Sequence, residues 1–346
     1  MNKLPGTDVD VSIICAGTMN WGTFNTEPEA HEQLDYAVSA GVNFLDTAEI
    51  YPIPPTREKQ GLTETYVGAW MKARGNRNDL VVASKISSRN QAGMMASRDA
   101  SEGLTKKNIH IAIDGTLSRL QTNHVDLYQV HVPDRKANYF GVRGYEAPMD
   151  DGGASIEETL EGLSEIVQAG KVRYIGISNE TAWGLGEYLR LAREKKLPQV
   201  RTIQNQYSLI NRTFEIGLSE MCLRENVGLL PYSPLSKGVL TGKYLGGVIP
   251  ENSRFGYALR DIDRYNPTHA QEAIQKYADL AKSIGLEPAE LALAWVNQRS
   301  FVTANIIGTR SMEQIKTDVA TADITLSQDV LDEIKKIYTE HPDPTA

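Results

Sequence analysis

The chain has 346 residues, a formal net charge of −8 and 23% charged side chains, which argues against nucleic acid or an anionic membrane surface as its main partner, because both attract clustered Lys and Arg. Its two cysteines, Cys15 and Cys222, supply neither a disulfide framework nor a C-x-x-C metal pair, so no metal site is expected and a reducing cytoplasm fits best. The amino terminus lacks a charged region followed by an apolar stretch, and nowhere do about 18 apolar residues run together, so no membrane segment is expected. The length suits two ordinary domains or one α/β barrel of about 250 residues with insertions.

In chain order, "NKLPGTDVDV" reads as a small hairpin turning at its Pro-Gly. Eight short apolar runs follow: residues 11–17, 42–47, 80–85, 125–131, 174–178, 202–206, 228–233 and 303–308. Between them apolar residues fall at helical spacing, for example Ile109, Ile113, Leu117 and Leu120, or Ile216, Leu218, Met221 and Cys222. Thr105 and Ser155 stand where helix caps belong, and Ser155 with Glu158 has capping-box spacing. Eight strands alternating with helices, each apolar on both faces, predict a parallel sheet, and eight units are the number that closes a (β/α)8 barrel. Residues 1–346 are therefore expected to form a single barrel domain, capped by the hairpin and carrying an extra carboxy-terminal helix in "DVLDEIKKIYTEH". Long loops at 132–154 and 245–268 follow the fourth and seventh strands, on the rim where barrel active sites are built.

Polar residues at strand ends are then the ones to weigh. Asp46 ends the second strand, Lys85 the third and His131 the fourth, while Tyr51 lies in the loop after the second. Each alone has an ordinary explanation: a turn cap, a solvated edge charge, a satisfied core histidine. Four on one rim point to a reaction centre.

The segments "LDTAEIYP", "VVASK" and "DLYQVH" resemble the signature of the aldo-keto reductase superfamily, and "GLTETYVGAW", "RYIGISN", "IQNQYSLINR" and "GVLTGKY" resemble its bacterial Tas-protein-like branch. The likeness runs from the first hairpin to about residue 340 and implies an NADPH-dependent oxidoreductase that interconverts aldehydes or ketones and alcohols. The tetrad it implies is Asp46, Tyr51, Lys85 and His131. A free tyrosine, with a pKa of about 10, donates slowly near neutrality; Lys85 would lower that pKa, Asp46 would keep Lys85 charged, and His131 would place the substrate oxygen.

A G-x-G-x-x-G fingerprint is absent, and "GVLTGK" lacks the spacing and the Ser or Thr of a phosphate loop. The resemblance instead implies a cofactor laid across the rim. Thr18, Met19 and Asp46 would flank it, with Ser178, Asn179 and Gln204 at its carboxamide and Tyr232 stacked on the nicotinamide. Ser233, Leu235, Gly238 and Lys243 would hold the pyrophosphate, Arg254 would close over it, and Gly308, Arg310, Gln314 and Asp318 would meet the adenosine end. An arginine fork suits a 2′-phosphate, so NADPH is expected in preference to NADH.

The substrate, a small-molecule carbonyl or alcohol, is expected between Trp21, Tyr51, Ile86, Ser87, His131, Tyr139 and Phe140; Arg135 or Arg143 could select an acidic one. Two other readings remain open at this stage: a cofactor-binding sensor subunit with little turnover, and a Schiff-base aldolase using Lys85. The oligomeric state is left open.

Overall fold

A computed structural model of the chain describes residues 1–140, 142, 144–145, 152–257, 262–265 and 268–345. Strands β1 (Asn2–Lys3) and β2 (Asp10–Val11) pair antiparallel as the hairpin. Eight parallel strands follow: β3 (Ile14–Gly17), β4 (Phe44–Asp46), β5 (Val81–Ile86), β6 (Val125–Val130), β7 (Val172–Ser178), β8 (Val200–Gln204), β9 (Gly228–Leu229) and β10 (Asn305–Ile307). From β3 to β9 each pairs with the next in sequence, and β10 pairs with β3. The ring closes between β9 and β10: Leu229 N donates to Phe301 O at 2.8 Å, Thr303 N to Leu229 O at 2.8 Å, and Ile306 N to Pro231 O at 3.0 Å. The fold is the expected (β/α)8 barrel.

Strand ends shift from expectation by one or two residues in six strands, and two others shorten further for local reasons. Val11 belongs to the hairpin, so the first barrel strand starts at Ile14. The run 228–233 keeps only two residues of regular ladder, because Pro231 has no N–H to donate; beyond it Tyr232 N still donates to Asn205 O at 3.1 Å.

Inside the barrel the hairpin acts as a plug. Leu4, Val9 and Val11 pack against Cys15, Phe44, Val81, Ala83, Leu127 and Ile306, an apolar floor on which the strand-end polar residues stand. Gly176 of β7 keeps that level open, since a Cβ there would lie 2.5 Å from Thr202 Oγ1 and 3.0 Å from Gln129 Cγ. Alternate residues of each strand face the outer helices, where Val82, Ile86, Tyr128 and Val130 join the main core.

The helices begin where their caps predict: Thr105 Oγ1 accepts from Asn108 N at 3.4 Å and Ser155 Oγ from Glu158 N at 3.1 Å. One segment departs. Thr213–Ile216 is a 3₁₀ turn, the helix starts only at Leu218 after Gly217, and Ile216 is left 79% exposed. An unexpected helix, Pro288–Asn297, precedes β10 and is buried from Leu291 to Val296. The extra carboxy-terminal helix, Gln328–Glu340, is present and buries Ile334 and Ile337. Among the described residues no helix is long and apolar enough to cross a membrane.

Candidate active site

The ends of β4, β5 and β6 bring Asp46, Lys85 and His131 to one rim, and the loop leaving β4 returns Tyr51 above them. Lys85 Nζ donates to Asp46 Oδ2 at 2.5 Å, to the Thr47 carbonyl at 2.8 Å and to the Tyr51 hydroxyl at 3.2 Å. All three ammonium hydrogens thus have acceptors, which a fully buried lysine requires. The Tyr51 and His131 rings meet edge to face with centroids 5.6 Å apart.

Electrostatics follow from this geometry. Burial works against the charge on Lys85, but Asp46 and the Tyr51 oxygen outweigh it and raise its pKa above the ordinary value. Tyr51 moves up as well: burial raises it, Lys85 pulls it down, and Asp46 adds to the rise. The expected lowering of the phenol pKa by Lys85 is therefore present as one influence but is overridden, because a phenolate in a dry site loses more hydration than one cation at 3.2 Å restores. Burial and then Lys85 hold His131 well below the usual imidazole range, so it is neutral, and its Nδ1 is buried without a partner among the described residues.

The carboxylate has further support that sequence reasoning missed. Gln204 Nε2 donates to Asp46 Oδ1 at 2.8 Å, and Gln129 Nε2 to the same oxygen at 3.2 Å. Gln129 was discoverable, since it lies two residues before His131 in one strand and so shares its face. Glu49 is also buried, in an ion pair with Arg98; their separation by 49 positions leaves no local signal.

The residues expected around a cofactor line the rim from β3 to β10. Thr18 Oγ1 donates to the Asp46 carbonyl at 2.9 Å, and Met19, partly buried, packs in the apolar cluster that holds Tyr51. Ser178 Oγ donates to Gln204 O at 2.7 Å. Asn179 Nδ2 donates to His131 O at 2.9 Å, and its Oδ1 accepts from the Tyr232 hydroxyl at 2.7 Å. Next, Ser233, Ser236, Lys237 and Gly238 all have positive φ. Leu235 opens this turn, and a Cβ on Gly238 would lie 2.8 Å from Lys243 Nζ. That turn and the lysine tip therefore form a cationic cradle.

At the far end Arg310 lies with its Cζ 3.7 Å from the Phe24 ring centre and 5.3 Å from that of Tyr257, while Arg254 Cζ is 5.8 Å from the same Phe24 centre. Arg310 N donates to Gln314 Oε1 at 2.8 Å, but the Arg310 Nη2 atom is buried without a partner among the described residues. Burial and then Arg254 lower the Arg310 pKa. A Cβ on Gly308 would meet, among the described residues, only Asn20 Nδ2, at 3.7 Å. Asp318 is almost buried, and burial lifts its carboxyl to about 7.

The expected substrate walls divide. Trp21 is 1% exposed within the main core, and Ile86 points outward to the helices, so neither is brought against Tyr51; strand alternation sends Ile86 to the face opposite Lys85. Ser87 is buried and engaged with Glu49. Tyr139 and Phe140 sit edge to face at 5.1 Å on the rim, with Phe140 57% exposed. Closer to Tyr51 are Met19, expected at the cofactor, and Ile53, Ala92 and Met95, for which the sequence held no sign. Arg135 is paired with Glu180 at 2.5 Å and lies over Trp183, whereas Arg143 lies outside the described residues.

With fold and site in view, comparison with known proteins settles the class: the model of the Aldo/keto reductase family matches residues 13–339, and the chain belongs to that family. It is 45% identical to protein Tas of Escherichia coli, with 99% of each chain covered. An uncharacterized oxidoreductase of Bacillus subtilis, YrpG, is 32% identical over 96% of this chain and 94% of its own. The NADP(+) aryl-alcohol dehydrogenase of Phanerodontia chrysosporium is 26% identical over 93% of this chain and 81% of its own. The chain is thus of a family of oxidoreductases that act on small-molecule carbonyl compounds.

Proposed function

We propose that this chain, acting as one functional unit in the cytoplasm, reduces aldehydes or ketones to alcohols, reversibly, using NADPH in preference to NADH, with Tyr51 as proton donor. The observation that carries the reading is the buried ammonium of Lys85, bonded at once to Asp46 at 2.5 Å and to the Tyr51 hydroxyl at 3.2 Å. Bound NADPH would supply the hydride; the rest falls to the chain's own side chains. As the carbonyl oxygen gains negative charge, the Tyr51 hydroxyl gives it a proton, and Lys85 stabilises the phenolate left behind. Neutral His131 offers an N–H to the same oxygen and brings no competing charge. Asp46, held by Gln204 and Gln129, keeps Lys85 protonated and aimed.

For the cofactor, Ser178, Asn179 and Gln204 suit the carboxamide and Tyr232 the ring face, the turn from Ser233 to Lys243 suits the pyrophosphate, and Arg310 with Arg254, Gln314, Asp318 and Gly308 suits the adenosine end. The unpartnered Nη2 of Arg310, on a guanidinium spread over Phe24, supports a phosphate there in preference to a ribose hydroxyl. The apolar side chains packed with Tyr51, among them Met19, Ile53 and Met95, favour apolar or ring-bearing carbonyl compounds. A Schiff-base role for Lys85 is disfavoured, because an ammonium with a raised pKa has no lone pair to add to a carbonyl.

The test is a panel of aryl and alkyl aldehydes, ketones and keto-sugars with NADPH or NADH, read as cofactor oxidation. We expect turnover with NADPH, fastest for the apolar aldehydes. Tight NADPH binding without oxidation by any carbonyl would favour a sensor instead.

A further inference from the structure

Glu49 stands three residues after Asp46 and two before Tyr51, and the tetrad does not account for it. Its side chain is buried, as is that of Arg98, 1% exposed each. Glu49 Oε1 accepts from Arg98 Nη2 at 2.6 Å and from Ser87 N at 2.6 Å, and Glu49 Oε2 accepts from Arg98 Nε at 3.3 Å. The same Arg98 Nη2 donates to Ser87 O at 2.6 Å. Both carboxylate oxygens, the arginine fork and one whole peptide edge are thereby locked together.

This knot joins the two chain segments whose separation sets the Lys85–Tyr51 contact. Glu49 N donates to Lys85 O at 3.2 Å, while Thr47 O and the Tyr51 hydroxyl accept from Lys85 Nζ. Residues 47, 49 and 51 therefore each touch Lys85, and the Glu49 side chain fastens the loop two residues further along, at Ser87. Arg98 extends the fastening to a third segment: Met95 and Ala100, on either side of it, pack with Ala48, Ile50 and Tyr51. An apolar pair of similar volume would serve stability at least as well as a buried ion pair. What the arginine–carboxylate fork adds is fixed direction and distance.

We infer that the Glu49–Arg98 pair is a positioning device for proton transfer: it fixes the Tyr51 hydroxyl against Lys85 and seats the 88–100 segment as the apolar wall beside it. The inference rests on the reading of Tyr51 as proton donor. Neither residue touches the reacting atoms, so they act through Tyr51, and an error of about 1 Å there is worth roughly a hundredfold in rate.

The test uses Arg98→Ala, with Arg98→Lys as a milder variant should the first fold poorly. In Arg98→Ala we expect kcat for NADPH-dependent aldehyde reduction to fall about tenfold to a hundredfold, while the NADPH Kd moves by less than about threefold. A solvent-open cleft of about 410 Å³ is lined by Arg98, Arg57 and Met95, so added guanidinium ion should enter the space left and restore part of the rate, whereas sodium at equal ionic strength should not. Amide exchange should quicken in residues 47–51 and 87–98 of the variant. Unchanged kcat and exchange would overturn the inference, as would a rate loss that follows thermal unfolding and gains nothing from guanidinium. Absence of turnover in the unsubstituted protein would instead strike at the carbonyl-reductase reading, and the exchange measurement would still judge the knot.

Discussion

The two ends of the rim are built on opposite plans. Around Asp46 the charged groups are matched before any ligand arrives: Lys85 has three acceptors, and the carboxylate is bonded by Lys85, Gln204 and Gln129, with His131 Nδ1 left as a buried atom lacking a partner among the described residues. Around Arg310 the matching is incomplete: Nη1 donates to the Asn252 carbonyl at 3.4 Å, but Nη2 is buried without a partner among the described residues and Arg254 is near enough to depress the pKa. A closed network fixes geometry, which proton transfer needs; an open cation stores affinity for an anion. In the proposed function the first end would carry the chemistry and the second would select the cofactor.

The largest expected effect comes from opening the closed network. Lys85→Met should lower kcat by about a thousandfold and destabilise the fold by roughly 3–5 kcal/mol, because the Asp46 carboxylate loses its buried partner; steady-state rates and chemical denaturation check both. At the other end, Arg310→Ala should weaken NADPH binding by about tenfold to a hundredfold, leave NADH binding unchanged and barely move kcat with saturating cofactor. Fluorescence titration with both nucleotides reads this, and equal losses for the two would break the contrast.

The raised Tyr51 pKa gives a directional pH test. The phenol stays protonated through neutrality, so this group should leave the reduction rate flat from about pH 6 to 9, while alcohol oxidation, which needs the phenolate, should rise about tenfold per pH unit. The smallest expected effect concerns Asp318, whose carboxyl is pushed up to about 7 by burial. Between the ordinary carboxylate pKa of about 4 and the raised one, the folded state binds more protons than the unfolded one, so stability is full below about pH 4 and is lost as pH rises toward 7. Asp318→Asn removes that loss. It should stabilise the fold at about pH 8 by on the order of 1–3 kcal/mol, read as a higher melting temperature, and do little at pH 4 to 5.

Much of this was legible in the letters, because barrel strands are continuous apolar runs and their last polar residues must lie on the rim. Asp46, Lys85 and His131 could be located in that way. Ile86 was misplaced because being next to Lys85 in sequence means facing away from it in a strand. The helix Pro288–Asn297 escaped because it is apolar nearly all round and so shows no helical stripe. Its capping box at Glu287 and Glu290, with proline at the first turn, was the available signal. The Glu49–Arg98 pair and the stacking of Arg310 on Phe24 join residues far apart in the chain, and periodicity carries no information about such contacts.

The central claim is that Tyr51 hands over the proton while Lys85 steadies it, and single-turnover kinetics of Tyr51→Phe test this most directly. With NADPH bound in advance and an aldehyde mixed in, we predict cofactor affinity within about threefold of the unsubstituted protein and hydride transfer slowed by about a thousandfold or more. Equal rates of cofactor oxidation in the two proteins would contradict the account.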